Sequence, residues 1–165
     1  MLPAFGTDVP LHAPCLYRRA VDVEELVEAL ADKARRTDAM RALVGGVTAT
    51  ELRTVQLPDD VFDGLVRGTQ HANPVVRWWS VQLLDHCPDE RANDALIPLF
   101  NDPVARVRRN AVHAVGCPAC QPTANLSRDP TLLARLQQIA SDDPSAKVRT
   151  EARLSIARLS GNTVR

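Results

Sequence analysis

The stretch from Asp102 to Gly116, DPVARVRRNAVHAVG, returns from Asp143 to Ala157 as DPSAKVRTEARLSIA, at an offset of 41 residues. A looser copy, NPVVRWWSVQLLD from Asn73 to Asp85, aligns Val76-Arg77 with Val107-Arg108 and Val148-Arg149 after a turn two residues shorter. Self-similarity at this period means stacked units, each burying its apolar face only against its neighbours. Small or apolar residues fall at helical spacing in the copies: Val107, Ala111, Ala114 and Val115 in one, Val148, Ala152, Ser155 and Ile156 in the other. No segment of comparable length alternates with period two, so the fold class is all-α.

Each copy is preceded by a second helical segment. PDDVFDGLVRGTQ starts at Pro58, PDERANDALIPLF at Pro88, and DPTLLARLQQIA at Asp129 with Pro130 first in the helix. Proline at the first helical position sacrifices no hydrogen bond, and acids near it complement the helix dipole. The organisation expected is three helix pairs, 58–87, 88–117 and 129–160, with an insertion at 117–128. Residues 1–20 read as a proline-rich extended arm and 21–57 as divergent capping helices. In that cap, Asp22 and Glu25 form a capping box, Gly45 and Gly46 stop the chain, and Thr48 and Glu51 offer a second box.

The Asp-Pro-(three residues)-Val-Arg core, the apolar helix after it and the ALIPLF of Ala95 to Phe100 resemble HEAT repeats, especially the short bacterial phycobilisome-lyase kind. The resemblance covers about residues 58 to 160. It implies a right-handed α-α superhelix, a solenoid whose inner surface holds partners. It also implies an aspartate–arginine ladder between neighbouring units, a structural role for Arg108 and Arg149. Arg77 has no aspartate in its own turn.

Net charge is zero, which argues against a surface that coats nucleic acid or an anionic membrane as a whole. The charge is nevertheless polar along the chain. Residues 1–102 hold 10 basic and 16 acidic side chains, and residues 103–165 hold 10 and 4. Opposite ends of that kind suggest weak head-to-tail self-association, the alternative being a monomer. No apolar run reaches membrane-spanning length and no signal segment is legible, so a cytoplasmic protein is expected. The four cysteines are too unevenly placed for a secreted disulfide framework.

Candidate binding residues lie on the second helix of each pair. Trp78 and Trp79 are adjacent, so their side chains leave a helix about 100° apart, one expected in the core and the other on the inner surface as a binding anchor. With the ladder set aside, Arg106, Arg109 and Arg153 remain as a basic stripe for an acidic protein or for phosphate, or simply as a solvated face. HEAT-like DNA glycosylases carry aromatic residues and an aspartate on their concave face, which makes Asp85 a minority catalytic candidate by resemblance.

Cys117 and Cys120, in GCPACQP, have C-x-x-C spacing just past a helix end. A closed zinc site needs four ligands. Cys87 falls at the matching end of the preceding second helix, next to His86, so Cys87, Cys117, Cys120 and His86 make a candidate Cys3His set. His113 lies one turn before Cys117. Thiol exchange would place the pair at a helix start, where the dipole lowers a thiol pKa; here it follows a helix. Helix-end thiols that hold nothing are the plain alternative. No cofactor is required, and zinc is the one candidate. The combined expectation is a scaffold that binds another protein and catalyses nothing, with nucleic-acid binding by the basic C-terminal part, or a glycosylase or lyase, as alternatives.

Overall fold

The computed structural model describes residues 22–47, 51, 53–54, 56–87, 89–118, 120 and 130–161. Among them are eight α-helices: α1 (Val23–Ala29), α2 (Arg36–Leu43), α3 (Asp59–Gly68), α4 (Pro74–Leu84), α5 (Arg91–Leu96), α6 (Ala105–Val115), α7 (Pro130–Asp142) and α8 (Ala146–Leu159). No strand occurs among the described residues. The arm at 1–20, most of the insertion at 117–128 and the second capping box at Thr48 lie outside them.

Local sequence accounts for the boundaries. Asp22 caps α1, accepting a hydrogen bond from the Glu24 N–H at 2.9 Å, and Asn73 caps α4 in the same way through Val75. Gly45 and Gly46 follow α2 with φ of +66° and +79°, a conformation open to glycine without strain. The segment expected as one helix from Pro88 is shorter than its pattern suggests. It is α-helical only over Arg91–Leu96 and tightens into a 3-10 turn at Ile97–Asn101, because Pro98 cannot donate to the α-helical ladder.

The helices form four pairs. α1 packs on α3, α3 on α4, α4 on α6, and α6 on α8, while α7 closes over α8. Leu65, Val76, Val81, Leu84, Leu96, Val107, Val112, Leu136 and Val148 are almost completely buried between them. Each such side chain contributes roughly 1.5–3 kcal/mol of burial, so the stack is held together chiefly by apolar contact between successive units.

One polar device recurs in all four pairs. An arginine near the start of each second helix donates back to carbonyls six and five residues earlier: Arg36 to Leu30 and Ala31, Arg77 to His71 and Ala72, Arg108 to Asp102 and Pro103, Arg149 to Asp143 and Pro144. The first pair therefore carries the same turn as the others. Two of these arginines also reach the next unit. Arg77 Nε and Nη2 donate to Asp102, and Arg108 Nε and Nη2 donate to Asp143. Arg77 thus pairs with the aspartate of the following turn. At the first seam His71, whose carbonyl Arg77 takes, stands where the aspartate would be, and Arg36 lies over the Trp79 ring at 5.3 Å.

Candidate metal centre

Because α4, α6 and α8 lie side by side, the residues just past α4 and α6 meet. Asp85 and His86 follow α4; His113 is in the last turn of α6, and Cys117 and Cys120 come immediately after it. Gly116 lets α6 approach α8 closely. A Cβ there would overlap the Ser155 side chain and come within 3.0 Å of Ser155 Cα. Ser155 Oγ, fully buried, donates to the Val112 carbonyl at 3.0 Å and holds the two helices in this register.

The donor atoms of His113, Cys117 and Cys120 all lie within 4.8 Å of one another, as do those of Asp85, His86 and Cys120. His113 Nε2 is 3.8 Å from Cys120 Sγ and 3.9 Å from Asp85 Oδ2. Four donors at zinc bond lengths stand about 3.3–3.8 Å apart around the ion. His113 Nδ1, on the far side of the ring, is 3.0 Å from Glu151 Oε1. Glu151 is itself buried on α8 and takes further bonds from Arg158 at 3.1 Å and Arg109 at 3.4 Å. A carboxylate behind the imidazole fixes the ring and its tautomer, leaving Nε2 free to ligate.

The electrostatics describe donors packed together. Asp85 is 3% exposed, and its Oδ1 has no hydrogen-bond partner. Burial raises its pKa, with His113 and His86 opposing the shift. The Cys117 thiol is held far below the ordinary range, first by a hydrogen bond from Cys120 and then by His113; Cys120 is pushed up by Cys117 and by burial. His113 is raised to about 10, by Cys117 first and by Glu151 next. Glu151 is lowered to about 2, chiefly by its bond to His113. A buried carboxylate oxygen without a partner costs free energy, and a cation among two thiols, an imidazole and that carboxylate would satisfy it.

Of the four ligands expected from sequence, the fold brings Cys117 and Cys120 together with His113, and His86 into a second group with Asp85 that shares Cys120. Cys87 belongs to neither group of donors. Its thiol is fully buried, raised by that burial, and contacted by the backbone of Leu57 and Asp89, so the chain past His86 turns it into the core instead. His86 sits beside Asp85, with its Nδ1 3.5 Å from Oδ2. Asp85 among the donor atoms and Glu151 behind His113 are additions. The repeat offset placed Asp85 at the helix end equivalent to Gly116, and His113 and Cys117 stand four residues apart; nothing local in sequence marked Glu151.

The tryptophans do not divide into one buried and one exposed. Both are half-buried, with ring centroids 4.3 Å apart in an edge-to-face arrangement, and Arg106 stacks on Trp78 at 3.7 Å. Arg109 leans toward Glu151 and Arg153 Nη2 donates to the Ala140 carbonyl at 3.0 Å. A groove of about 370 Å³ opens on this face, lined by Arg109, Ala146, Lys147, Thr150, Glu151 and Leu154.

The family model for HEAT repeats matches residues 62–157. This chain belongs to the HEAT-repeat family. Among curated proteins no sequence matches it. A solved structure, human deoxyhypusine hydroxylase in complex with glycerol, is similar to it with a TM-score of 0.56 and 26% identity, over 97% of this chain and 50% of that one. The chain thus spans about half the length of that protein. The expectation that the HEAT-repeat chain catalyses nothing is overturned by this likeness, since the similar structure is that of an enzyme. Among the described residues no helix is long and apolar enough to cross a membrane.

Proposed function

We propose that this HEAT-repeat protein holds one zinc ion at the meeting point of three successive second helices, with Asp85, His113, Cys117 and Cys120 as ligands and Glu151 orienting His113. The observation that carries the reading is the buried Asp85 carboxylate, its Oδ1 without a hydrogen bond and its Oδ2 3.9 Å from the Nε2 of an imidazole whose other nitrogen is already engaged. Two thiolates with one imidazole select zinc over magnesium or calcium, which prefer oxygen donors. Thiols kept reduced for a metal fit a cytoplasmic setting. Because the similar solved structure is an enzyme, this centre is where a reaction on this chain should be sought first.

The test is metal content of the purified chain together with cobalt substitution. One zinc per chain, and a thiolate-to-cobalt charge-transfer band that Cys117→Ser abolishes, would support the reading. A chain that stays metal-free with zinc supplied, and gives no band with cobalt, would refute it.

A second reading concerns the groove beside the centre. Arg109 and Lys147 on its wall, with Glu151 turned to His113 and Arg158, favour an acidic segment of a partner protein bound along the second helices. Arg106 on Trp78 extends that surface. The short Asp-Pro-(three residues)-Val-Arg turns support a reading of the units as the phycobilisome-lyase type. Acidic-peptide binding that Arg109→Ala and Lys147→Ala together abolish, with the zinc content unchanged, is the expected result.

A further inference from the structure

The two cysteines past α6 are close to each other but differ in what reaches them. The Cys120 N–H donates to the Cys117 carbonyl at 3.0 Å. A turn closed in this way holds its first and last Cα within about 7 Å, which is about the span a disulfide bridges. The two sulfurs lie within 4.8 Å of each other and of the His113 donor nitrogen. Cys117 is half-buried, whereas Cys120 is buried. One sulfur is therefore open to a reagent from solvent and the other stands behind it, as a resolving cysteine stands beside an oxidisable one.

Cys87 is set apart from this pair, fully buried and in neither group of donors. Following a helix, Cys117 and Cys120 lack the N-terminal dipole that repeated thiol exchange uses. A single oxidation needs less: one accessible sulfur and a second within reach. Because α6 ends at Val115, a bond between Cys117 and Cys120 would close a loop outside the helices and cross-link no two units. It would also remove two of the four zinc ligands. Asp85 and His113 alone are fewer than a closed zinc site needs.

We propose that Cys117 is an oxidation site for peroxide, with Cys120 as its resolving partner, and that the disulfide they form releases the zinc. This inference rests on the zinc reading above. The Cys117 thiolate attacks one oxygen of hydrogen peroxide; an S–O bond forms as the O–O bond breaks, and hydroxide leaves and takes a proton from solvent. The Cys120 thiolate then attacks the Cys117 sulfur; the S–S bond forms as the S–O bond breaks, and the second hydroxide is protonated in turn. The two sulfurs give up two electrons in all, and the peroxide is reduced to two waters. Disulfides in a reducing compartment are transient and redox-sensing, so the centre empties under oxidant and refills under reductant.

The experiment treats the zinc-loaded full chain with hydrogen peroxide in the presence of a coloured chelator too weak to strip the centre unaided. Alkylation and peptide mass mapping then locate the oxidised cysteines. The expected result is complete loss of the zinc in step with a Cys117–Cys120 disulfide, with Cys87 still a free thiol and helical circular dichroism kept. Dithiothreitol should restore zinc binding, and Cys87→Ala should release zinc as wild type does. Zinc retained through peroxide, zinc lost to sulfinic acid at Cys117 without a disulfide, or a bridge to any other cysteine would each overturn the proposal. A chain that takes up no zinc before peroxide is added removes the zinc reading and this inference with it. One that takes up zinc and keeps it under peroxide removes this inference alone.

Discussion

Arg108 and Asp143 meet edge to edge across the last seam of the stack, Nε to Oδ2 at 2.7 Å and Nη2 to Oδ1 at 2.9 Å, with side chains only 11% and 6% exposed. The same guanidinium ties down its own turn through the Asp102 carbonyl, so one side chain links two units. Replacing it by alanine leaves a buried carboxylate unpaired. Arg108→Ala should cost about 3–5 kcal/mol of unfolding free energy, measured by chemical denaturation.

The pairing also predicts a pH dependence. Arg108 holds the Asp143 pKa below its ordinary value in the folded state, so the stability it adds is present above the unfolded carboxylate pKa, about 3.9, and is lost as pH falls through the lower folded value. The gap between wild type and Arg108→Ala should therefore be full at pH 7 and narrow below about pH 4. A gap that stays constant down to about pH 2.5, well below the unfolded carboxylate pKa, would show that the arginine acts through packing alone.

Gly116 is needed for space. Ser155 of α8 occupies the place a side chain would take, and its Cα lies 3.0 Å from where a Cβ on Gly116 would stand, so Gly116→Ala must push α6 and α8 apart. The expected cost is about 1–3 kcal/mol, the range for overpacking. Since Glu151 is on α8 and Cys117 follows Gly116, zinc affinity should fall along with the midpoint of thermal unfolding. Ser155→Ala, which makes room but gives up the bond to Val112, should destabilise less.

The stack was legible because its signals are periodic. Val76-Arg77, Val107-Arg108 and Val148-Arg149 fix helix register and burial at once, and the structure keeps all three valines buried with their arginines in the turn. The site was legible only in part, because spacing along the chain reports neighbours on one helix and not which helix ends meet. Cys117 and Cys120 were visible as a pair. Cys87 looked equivalent by repeat offset, but the chain beyond α4 and the chain beyond α6 leave their helices differently, and Asp85 faces the cluster in its place. Glu151 reaches His113 from 38 residues away, a distance no local motif spans. Arg77 has no aspartate in its own turn, yet it pairs with Asp102 of the next one just as Arg108 pairs with Asp143, a relation between turns that no single turn displays.

Cysteine substitutions should separate the cluster from the core. Cys117→Ser and Cys120→Ser are expected to lose stoichiometric zinc, whereas Cys87→Ala should retain it and lose on the order of 1 kcal/mol of stability from its buried position. Loss of zinc from Cys87→Ala with the fold intact would return that residue to the ligand set.

Glu151 is the residue whose role most needs a test, because it touches the centre only through His113. Its carboxylate accepts from His113 Nδ1 at 3.0 Å and from Arg158 at 3.1 Å, and it is held ionised by both, His113 contributing most. Glu151→Gln keeps the shape and removes the charge that sharpens the imidazole as a donor. Outer partners of this kind are worth roughly 10–100-fold in metal affinity, so competition with a chelator should show zinc held that much more weakly while stoichiometry at saturation stays at one. Arg158→Ala removes a neighbour of the same carboxylate that does not touch His113, and should change the affinity less. If both substitutions lower affinity equally, Glu151 acts by holding α8 in place. If only Glu151→Gln does, it acts on the histidine.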